Sequence, residues 1–324
     1  MSKKKESGNH TFSLSTKSSY TDIQNIRNNK LCILKWHDKC FLNVTYEIVK
    51  FKNIGVEIQL HQSLVHRSWI TVIVNPSSLL AGEYCPTALF HDVKKIPKVK
   101  KKLREILDEC EIATKLKDFK LNRTDLTENE YYGGADELDI QLDVFKKSYP
   151  IPRYEPVLFE TFLNEDGTYE DANKHSWTIA CKDSEFSVYD KRYELEKRHE
   201  ILIKDHILRK ELRLGRNRIR QLTKAASWED QLEELINRQD KLMDKFQHRL
   251  HQDYGKVVTE EEAIEIIEAS SFRTKTKKKM CIIMELAAKC ESLIEVRTKM
   301  RMSHKHFKAL LDRFQKLGIS PITR

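Results

Sequence analysis

One short segment of the chain combines residue types that could cut a phosphodiester bond. Tyr189 and Lys191 are two positions apart, so they share a face if a strand continues through both. A tyrosine hydroxyl has a pKa near 10 and attacks poorly at neutral pH, whereas a neighbouring lysine cation favours the phenolate. Attack by tyrosine on DNA leaves a covalent phosphotyrosine, so the strand can later be rejoined without ATP. A packed strand end is the alternative interpretation of the same two residues.

Two further residues of this segment are candidates for supporting roles. Glu194 follows Lys191 by three positions on a predicted helix, where it would orient the lysine. Tyr193 could act as a second nucleophile in a later strand-transfer step, or it could pack on the helix. Tyr131 and Tyr132 precede two glycines in a predicted loop, where an aromatic ring could stack on a base.

The elements that would position this segment follow from the periodicity of the sequence. Short β-rich runs separated by turn residues predict an antiparallel meander, and later segments predict a helix, an alternating strand, a hairpin, a charged helix from Lys191 and one more strand. In chain order, these are the meander at 31–36, 41–49, 54–61 and 69–74, the helix at 93–117, the alternating strand at 138–145, the hairpin at 176–181 and 185–189, and the strand at 206–214.

The chain divides into three predicted units. Residues 1–20 are polar and rich in serine and lysine, which predicts a disordered basic tail. Residues 21–220 form the sheet domain. Residues 221–324 read as helix throughout, with helices at 228–252, 260–269, 280–290 and 304–318. We therefore predict an α+β protein with an antiparallel sheet flanked by helices, followed by an all-helical C-terminal region.

The charge balance favours a polyanionic partner. The formal net charge is +9 and the pI about 9.0, which indicates nucleic acid binding or an inert basic surface. Two basic runs could neutralise phosphates, or could be solvated helix edges. The candidate DNA contacts in these runs are Lys98, Lys100, Lys101, Lys102, Arg273, Lys275, Lys277 and Lys278.

The last predicted helix has features of the recognition helix of a DNA-binding module. Residues 303–318 have a serine at the N-cap position and a glycine at the end. Short helices before a basic, amphipathic one suggest a helix-turn-helix-like unit, in which Lys305, Lys308 and Arg313 would face DNA. The alternative is a helical bundle that only braces the sheet domain, and the charged helix at 228–252 could serve dimerisation.

Several protein classes are disfavoured by the sequence. No apolar run approaches the roughly 18 residues of a membrane helix, and no apolar signal core follows the N-terminus. The seven cysteines are odd in number and contain no Cys-x-x-Cys pair, which argues against a disulfide framework or a zinc ribbon. We expect free thiols and a cytoplasmic location.

The segment Tyr-x-Lys-x-x-Glu-Leu at 189–195 resembles the active-site motif of the filamentous-phage gene II replication proteins and related phage and plasmid initiators. In that family the tyrosine of the motif nicks DNA. Other pieces of the chain resemble family segments in matching order, over roughly residues 41–220 and again at the C-terminus. These are 69–82 with its proline and glycine turn, 137–143, 208–214 and 317–322.

The resemblance implies an HUH-endonuclease-like sheet and one divalent cation, Mg²⁺ or Mn²⁺, at the scissile phosphate. By position it implies Asp139 as a metal ligand, then Glu211, with Asp143 as a further candidate. On their own, the two aspartates could be a solvated strand face, and Glu211 could be paired with a neighbouring arginine. This sequence departs from the family pattern in having Glu137 in place of an arginine and no acidic residue at Thr71.

A His-hydrophobic-His motif is also missing from the sequence. His61 and His66 are five positions apart and would lie on opposite faces of a continuous strand. Either histidine could serve as a metal ligand, but a lone histidine is more often structural or solvated. The departures put the metal ligands in doubt more than the nucleophile.

The function that this resemblance implies is a rolling-circle replication initiator, a site-specific single-strand endonuclease and strand transferase. Its partners would be a replication origin, as single-stranded or supercoiled DNA, and a host replication helicase. The alternatives are an origin-binding or regulatory protein without catalysis, and a plasmid mobilisation relaxase with the same chemistry. The convergence of Asp139, Glu211 and Tyr189 in the fold would separate the enzyme from the non-catalytic protein.

Overall fold

The computed structural model describes residues 4–37, 43–63, 68–148, 151–157, 161–163, 169–171, 174–250 and 255–323. Within these ranges the fold is α+β, with one large antiparallel sheet, several helices packed on one of its faces, a short helix beside the other face and a C-terminal group of helices. The predicted fold class is confirmed. His66 lies outside the described residues.

The sheet has ten strands among the described residues, in the order β2-β3-β4-β5-β1-β6-β12-β11-β10-β7, and each pair is antiparallel. A separate hairpin pairs β8 with β9. The strands are β1 Lys5–Lys17, β2 Cys32–His37, β3 Asn43–Ile48, β4 Val56–Ser63, β5 Trp69–Val74, β6 Lys120–Tyr132, β7 Glu155–Pro156, β8 Thr161–Leu163, β9 Tyr169–Asp171, β10 Ser176–Cys181, β11 Ser184–Asp190 and β12 His206–Gly215.

The helices begin and end where the local sequence supplies caps. Ser19 and Thr259 close capping boxes, Asp190 and Ser303 cap their helices with a side-chain oxygen, and Gly318 ends the last helix in the left-handed conformation. The helices are α1 Tyr20–Asn28, α2 Pro76–Ala81, α3 Ile96–Glu109, α4 Ala135–Lys146, α5 Lys191–His199, α6 Arg216–Leu222, α7 Trp228–Asn237, α8 Gln239–Arg249, α9 Glu260–Ala269, α10 Thr274–Lys289, α11 Leu293–Lys299 and α12 His304–Leu317.

The two faces of the sheet differ in polarity. In β11, Phe186 and Val188 are buried in the main core, while Ser187 and Tyr189 alternate to the other face. Helices α3, α4, α7 and α8 contribute apolar side chains to the same core as these strands. We call the side covered by these helices the helix face and the other side the polar face.

The N-terminal strand β1 lies in the middle of the sheet, between β5 and β6. The prediction of a disordered tail over residues 1–20 is therefore wrong for residues 5–17. Phe12 and Leu14 are fully buried, but the polar residues that alternate with them face the polar side of the sheet. Pairing on both sides satisfies the backbone of β1, so a strand of low hydrophobicity remains ordered.

Strand β6, which borders β1, was also not predicted, and Tyr131 and Tyr132 end this strand instead of lying in an open loop. The Tyr131 hydroxyl donates to Glu6 and the Tyr132 hydroxyl to Glu130. Their hydroxyls are thus engaged in contacts within the sheet.

The strand predicted at 138–145 is helix α4. Its apolar residues fit both periods, because Leu138, Leu142 and Phe145 also share one face of a helix. Gly134 precedes the helix and marks the change of backbone conformation. This correction moves Asp139 and Asp143 from a strand face to the exposed side of a helix.

The main core extends beyond the boundary predicted near residue 220. Helices α7 and α8 contribute Trp228, Leu235 and Phe246 to it, and it ends at Leu250. A second core is formed by α9 to α12 together with Val144 of α4. The cores therefore divide after residue 250.

The predictions about cysteines and membrane helices can be compared with the structure. The six cysteines among the described residues carry free thiols, and Cys40 lies outside these residues. None of the helices in the described ranges combines the length and the apolarity needed to span a bilayer.

Candidate active-site groove

A groove of about 810 Å³ lies on the polar face, over the middle of the sheet. It is lined by side chains from β1, β4, β6, β10, β11, β12 and α5. Tyr189, Lys191, Tyr193, Glu194 and Glu211 all line this groove. The sequence segment singled out for its chemistry thus meets one of the predicted metal ligands there.

Tyr189 and Glu211 are in direct contact in the groove. Tyr189 lies opposite Arg209 in the β11–β12 register, and its hydroxyl donates a hydrogen bond of 2.9 Å to Glu211 Oε1. Burial and the negative charge of Glu211 raise the pKa of Tyr189 well above its ordinary value. The phenol is therefore protonated at neutral pH, and Glu211 is placed to accept its proton.

His10 and Arg209 surround the Glu211 carboxylate. His10 Nδ1 lies 3.6 Å and Arg209 Nη1 4.0 Å from Glu211 Oε1. His10 is on β1 at a register shift between Asn9 and Thr11. Burial, with the positive charges of Arg209 and Lys191, holds the pKa of His10 well below its ordinary value. The imidazole is neutral at pH 7, so Arg209 supplies the positive charge beside Glu211.

Arg209 is fully buried and incompletely satisfied. Its Nε donates to Asn129 Oδ1 at 2.8 Å, and its Nη2 to the carbonyl of Thr87 at 3.3 Å. Among the described residues its Nη1 has no hydrogen-bond partner, although it lies on the Glu211 side. An unpaired buried donor is costly, and a phosphate oxygen would satisfy it.

Lys191 forms the predicted contact with Glu194. Lys191 Nζ donates to Glu194 Oε2 at 2.6 Å, and lies 6.0 Å from the centre of the Tyr189 ring. Burial, together with the charge of Arg209, lowers the pKa of Lys191 to about 8. The ammonium group is thus a stronger acid than an exposed lysine.

Tyr193, the candidate second nucleophile, is stacked on His175. Their ring centres are 3.8 Å apart and the planes differ by 18°. Asp190 fixes this turn, because its side chain accepts hydrogen bonds from the backbone N–H groups of Arg192 and Tyr193. Packing within the groove wall accounts for this ring.

A second ionic network crosses the groove floor beside Tyr189. Arg123 donates two hydrogen bonds to Asp125, at 3.0 and 2.6 Å. Arg213 donates to Asp125 at 3.1 Å and to Glu185 at 2.8 Å. Asp125 is shared by two arginines, so its charge is already balanced.

The residues predicted to bind a metal do not come together. Asp139 and Asp143 are exposed on α4 and do not line the groove, and Asp143 lies 3.8 Å from Lys146. Within the described ranges, no three His, Cys, Asp or Glu side chains are grouped to hold a metal ion. Because Glu211 also has Arg209 beside it, the predicted set does not fit Mg²⁺ or Mn²⁺.

The two positions at which the sequence departs from the family pattern, and the histidine candidate His61, lie outside the groove. Glu137 is in the first turn of α4, and Thr71 is on β5, opposite Ser15 of β1. Neither lines the groove. His61 contacts Thr45 and stacks on Trp69. It is therefore engaged away from the tyrosine.

The first basic run lies on α3, on the helix face of the sheet, opposite the groove. Lys100 forms an ion pair with Glu229, and Lys102 donates to the carbonyl of Leu79 at 2.7 Å. Lys98 and Lys101 are exposed. This run cannot contact the same stretch of DNA as Tyr189 without a strand passing around the sheet.

The C-terminal basic residues differ in exposure. Lys277 donates to the carbonyl of Glu268, and Arg313 lies half-buried over the Phe272 ring, 6.0 Å from its centre. The exposed members of this set are Arg273, Lys275, Lys278, Lys305 and Lys308. The helix-turn-helix interpretation stays a prediction.

Sequence reasoning missed the contributions of β1 and β6 to the groove. His10 was assigned to a tail, and Arg123 and Asp125 to no element. Alternation over 11–15, with Phe12 and Leu14 between hydroxyl residues, was the available signal for β1. The burial of Arg209 is not predictable from its neighbours in sequence, because its hydrogen-bond partners, Asn129 and the carbonyl of Thr87, are far away in the chain.

The similarity of this chain to known proteins is found in structure and not in sequence. The chain matches no protein-family profile and no curated protein in sequence. In structure it is similar to a rolling circle replication initiator protein from Geobacillus stearothermophilus, at 9% sequence identity and a TM-score of 0.41, over 76% of this chain and 86% of that one.

Proposed function

We propose that this protein is a site-specific single-strand DNA endonuclease and strand transferase that starts rolling-circle replication. The observation that carries the proposal is the contact between the Tyr189 hydroxyl and the Glu211 carboxylate, 2.9 Å, in a groove that also holds Lys191. A protonated tyrosine beside a carboxylate is a nucleophile paired with its base. The motif resemblance at 189–195 supplies the substrate class.

In the proposed cut, the Tyr189 oxygen attacks the scissile phosphorus as its proton passes to Glu211. A bond forms between Tyr189 Oη and phosphorus, and the bond from phosphorus to the 3′ oxygen breaks. Lys191 is placed to stabilise the leaving oxygen and to give it a proton, since its lowered pKa makes it a better acid. The products are a free 3′ hydroxyl and a 5′ phosphate on Tyr189.

Rejoining reverses these transfers. A 3′ hydroxyl attacks the phosphotyrosine, Lys191 accepts the proton of that hydroxyl, and Glu211 returns its proton to the Tyr189 oxygen. The unpaired Nη1 of Arg209 is placed to donate to a phosphate oxygen in both directions. No bond energy is lost, so neither step needs ATP.

A requirement for Mg²⁺ or Mn²⁺ stays a prediction from the resemblance. The residues first expected to hold the cation do not assemble, so we assign no step to it. The replication origin, a host replication helicase and a cytoplasmic location are likewise parts of the proposal.

The failure of the predicted metal ligands to assemble supports the non-catalytic alternative. Of the three residues whose convergence would mark the enzyme, Tyr189 and Glu211 are in contact, whereas Asp139 does not line the groove, as an origin-binding protein that kept the fold would allow. A mobilisation relaxase would use the same chemistry as the replication initiator. The two enzymatic tasks differ in the DNA that is bound, not in the groove.

The decisive experiment is nicking of a supercoiled plasmid that carries the protein's own gene and flanking DNA. Wild-type protein is compared with Tyr189→Phe, and Tyr193→Phe serves as the matched control. We expect open-circular DNA with protein covalently attached, lost in Tyr189→Phe and retained in Tyr193→Phe. Nicking that survives Tyr189→Phe would refute the assignment of the nucleophile. Origin binding without nicking by wild-type protein would favour the regulatory protein.

A further inference from the structure

A row of side chains crosses five neighbouring strands at the end of the sheet away from Tyr189. In the strand registers, Trp36 lies opposite Thr45, Thr45 opposite His61, His61 opposite Trp69, and Trp69 opposite Lys17. Directly opposed residues of antiparallel strands point to the same side of a sheet. The five residues therefore form one continuous line, which we call the aromatic row.

The aromatic row lies on the polar face, the same face as the groove. His61 and Glu57 are four positions apart on β4, so their side chains point to the same side. Glu57 lines the groove. Arg123, which also lines the groove, lies opposite Ser13 on β1, four residues before Lys17. A strand bound in the groove can thus continue along this face.

The two tryptophans of the row are exposed, which is unusual for so large an apolar side chain. Trp36 is 53% and Trp69 40% exposed. The His61 ring stacks on Trp69 with centres 5.2 Å apart, and Thr45 Oγ1 lies 3.0 Å from His61 Nδ1. This support holds one face of the Trp69 ring in place.

The chemistry of the row suits unstacked bases. Three strand spacings of about 4.8 Å separate Trp36 from Trp69, roughly 14 Å, so separate bases can reach each ring. Every base has a π-face, and stacking on an aromatic side chain does not depend on sequence. Lys17, exposed at the end of the row, supplies a cation for the backbone phosphate.

We propose that the aromatic row is a stacking site for single-stranded DNA, continuous with the groove. The inference rests on the proposed function in one respect, that the strand held there is the strand that Tyr189 cuts. A second copy of the chain is the competing occupant, by strand addition at the edge strand β2. That mode would use the outer edge of β2, the last strand of the sheet among the described residues, whereas the row runs across the strands and ends in a cation.

The test measures binding of a fluorescent oligothymidylate of about 20 nucleotides by anisotropy, at low salt. All variants carry Tyr189→Phe, so that cutting cannot affect the signal. We expect Trp69→Ala and Trp36→Ala each to weaken binding about 5- to 150-fold, the range for loss of one stacked base. Trp69→Phe keeps a ring and should bind within a few fold of the parent. Leu202→Ala, an exposed apolar residue outside the row, is the matched control.

The possible outcomes test the stacking site independently of the proposed nicking activity. Binding unchanged in Trp69→Ala and Trp36→Ala would overturn the stacking site, whether or not wild-type protein nicks DNA. Binding that depends on the row in a protein that never nicks would leave the stacking site standing and refute the enzyme. A dimer by light scattering that Trp36→Ala dissociates, with DNA binding unchanged, would assign the row to a second copy. Thermal unfolding of each variant checks that the fold is kept.

Discussion

Lys191 is only 2% exposed, and this burial changes the pH at which its ammonium group carries a charge. Its lowered pKa of about 8 means that the cation is lost within an accessible pH range. If Lys191 acts as a cation or an acid in the cut, the nicking rate should fall about tenfold per pH unit above pH 8. Single-turnover nicking from pH 6 to 10 measures this limb.

Lys191→Arg is the matched variant for that prediction, because arginine stays charged over the whole range. We expect the fall above pH 8 to disappear in this variant, whatever its rate at neutral pH. A wild-type rate that rises through pH 8 would instead mean that loss of the tyrosine proton limits the reaction without help from Glu211.

The same lysine links stability to pH. Its pKa is lower in the folded chain than its ordinary value of 10.5. Between these two pH values the unfolded chain binds more protons, so the Lys191 contribution to the free energy of unfolding rises with pH. Urea unfolding at pH 7.5 and 9.5 should show this rise relative to Lys191→Met, which lacks the titrating group. An equal pH dependence in the two proteins would contradict the lowered pKa.

Glu211 and the two aspartates of α4 are predicted to differ in importance. Glu211→Gln removes the proton acceptor for Tyr189 and should lower the nicking rate by about 10²- to 10⁴-fold. Asp139→Asn and Asp143→Asn, on the exposed side of α4, should keep the rate within about twofold. Single-turnover nicking measures all three. A large loss in Asp139→Asn would restore the ligand role that the sequence resemblance implied.

At the scale of elements, β1 holds the sheet together through few apolar residues. Phe12 is fully buried and stacks on Trp228, with ring centres 5.8 Å apart. Phe12→Ala should lower the free energy of unfolding by about 3–5 kcal/mol. Tyr20→Ala, three residues beyond the strand and exposed, should change it by no more than about 0.5 kcal/mol. Urea unfolding compares them, and equal effects would contradict a central β1.

The sequence predicted those elements whose own pattern decides their conformation. Strands β5 and β10 have the predicted bounds, and so does α9. The alternation around Phe12 was too short to be distinguished from a polar tail. The apolar residues of α4 satisfied both a strand and a helix period, so only packing against β11 and β12 decides the helix.

The candidate site likewise contains some contacts that the local sequence predicts and others that it does not. Tyr189, Lys191 and Glu194 are near in sequence, and their contacts follow from the strand end and the first turn of α5. His10 reaches Glu211 from β1, some two hundred residues earlier in the chain, whereas Arg209 is two positions before Glu211 on β12. The burial of both side chains, the lowered pKa of His10 and the unpaired Nη1 of Arg209 depend on which strands are neighbours in the sheet. Local spacing in the sequence does not determine that order.

At the scale of the whole molecule, the two cores should respond separately to mutation. Leu235 belongs to the main core and Leu311 to the second. Leu235→Ala should speed amide hydrogen exchange in the strands of the sheet, and Leu311→Ala in α9 to α12. A boundary near residue 220 would instead join α7 to the later helices, and Leu235→Ala would then affect α9 to α12. Hydrogen exchange with mass spectrometry separates these patterns.

The central place of β1 has a consequence for the order of events during synthesis. β1 is made before its neighbours β5 and β6, which begin only at Trp69 and Lys120. At a synthesis rate of about 5–20 residues per second, Phe12 and Leu14 remain without both partner strands for on the order of ten seconds. Pairing over such distances along the chain is intrinsically slow. We therefore expect the nascent chain to depend on chaperones until β6 has emerged, and the last rapid gain in order to come when β12 closes the sheet.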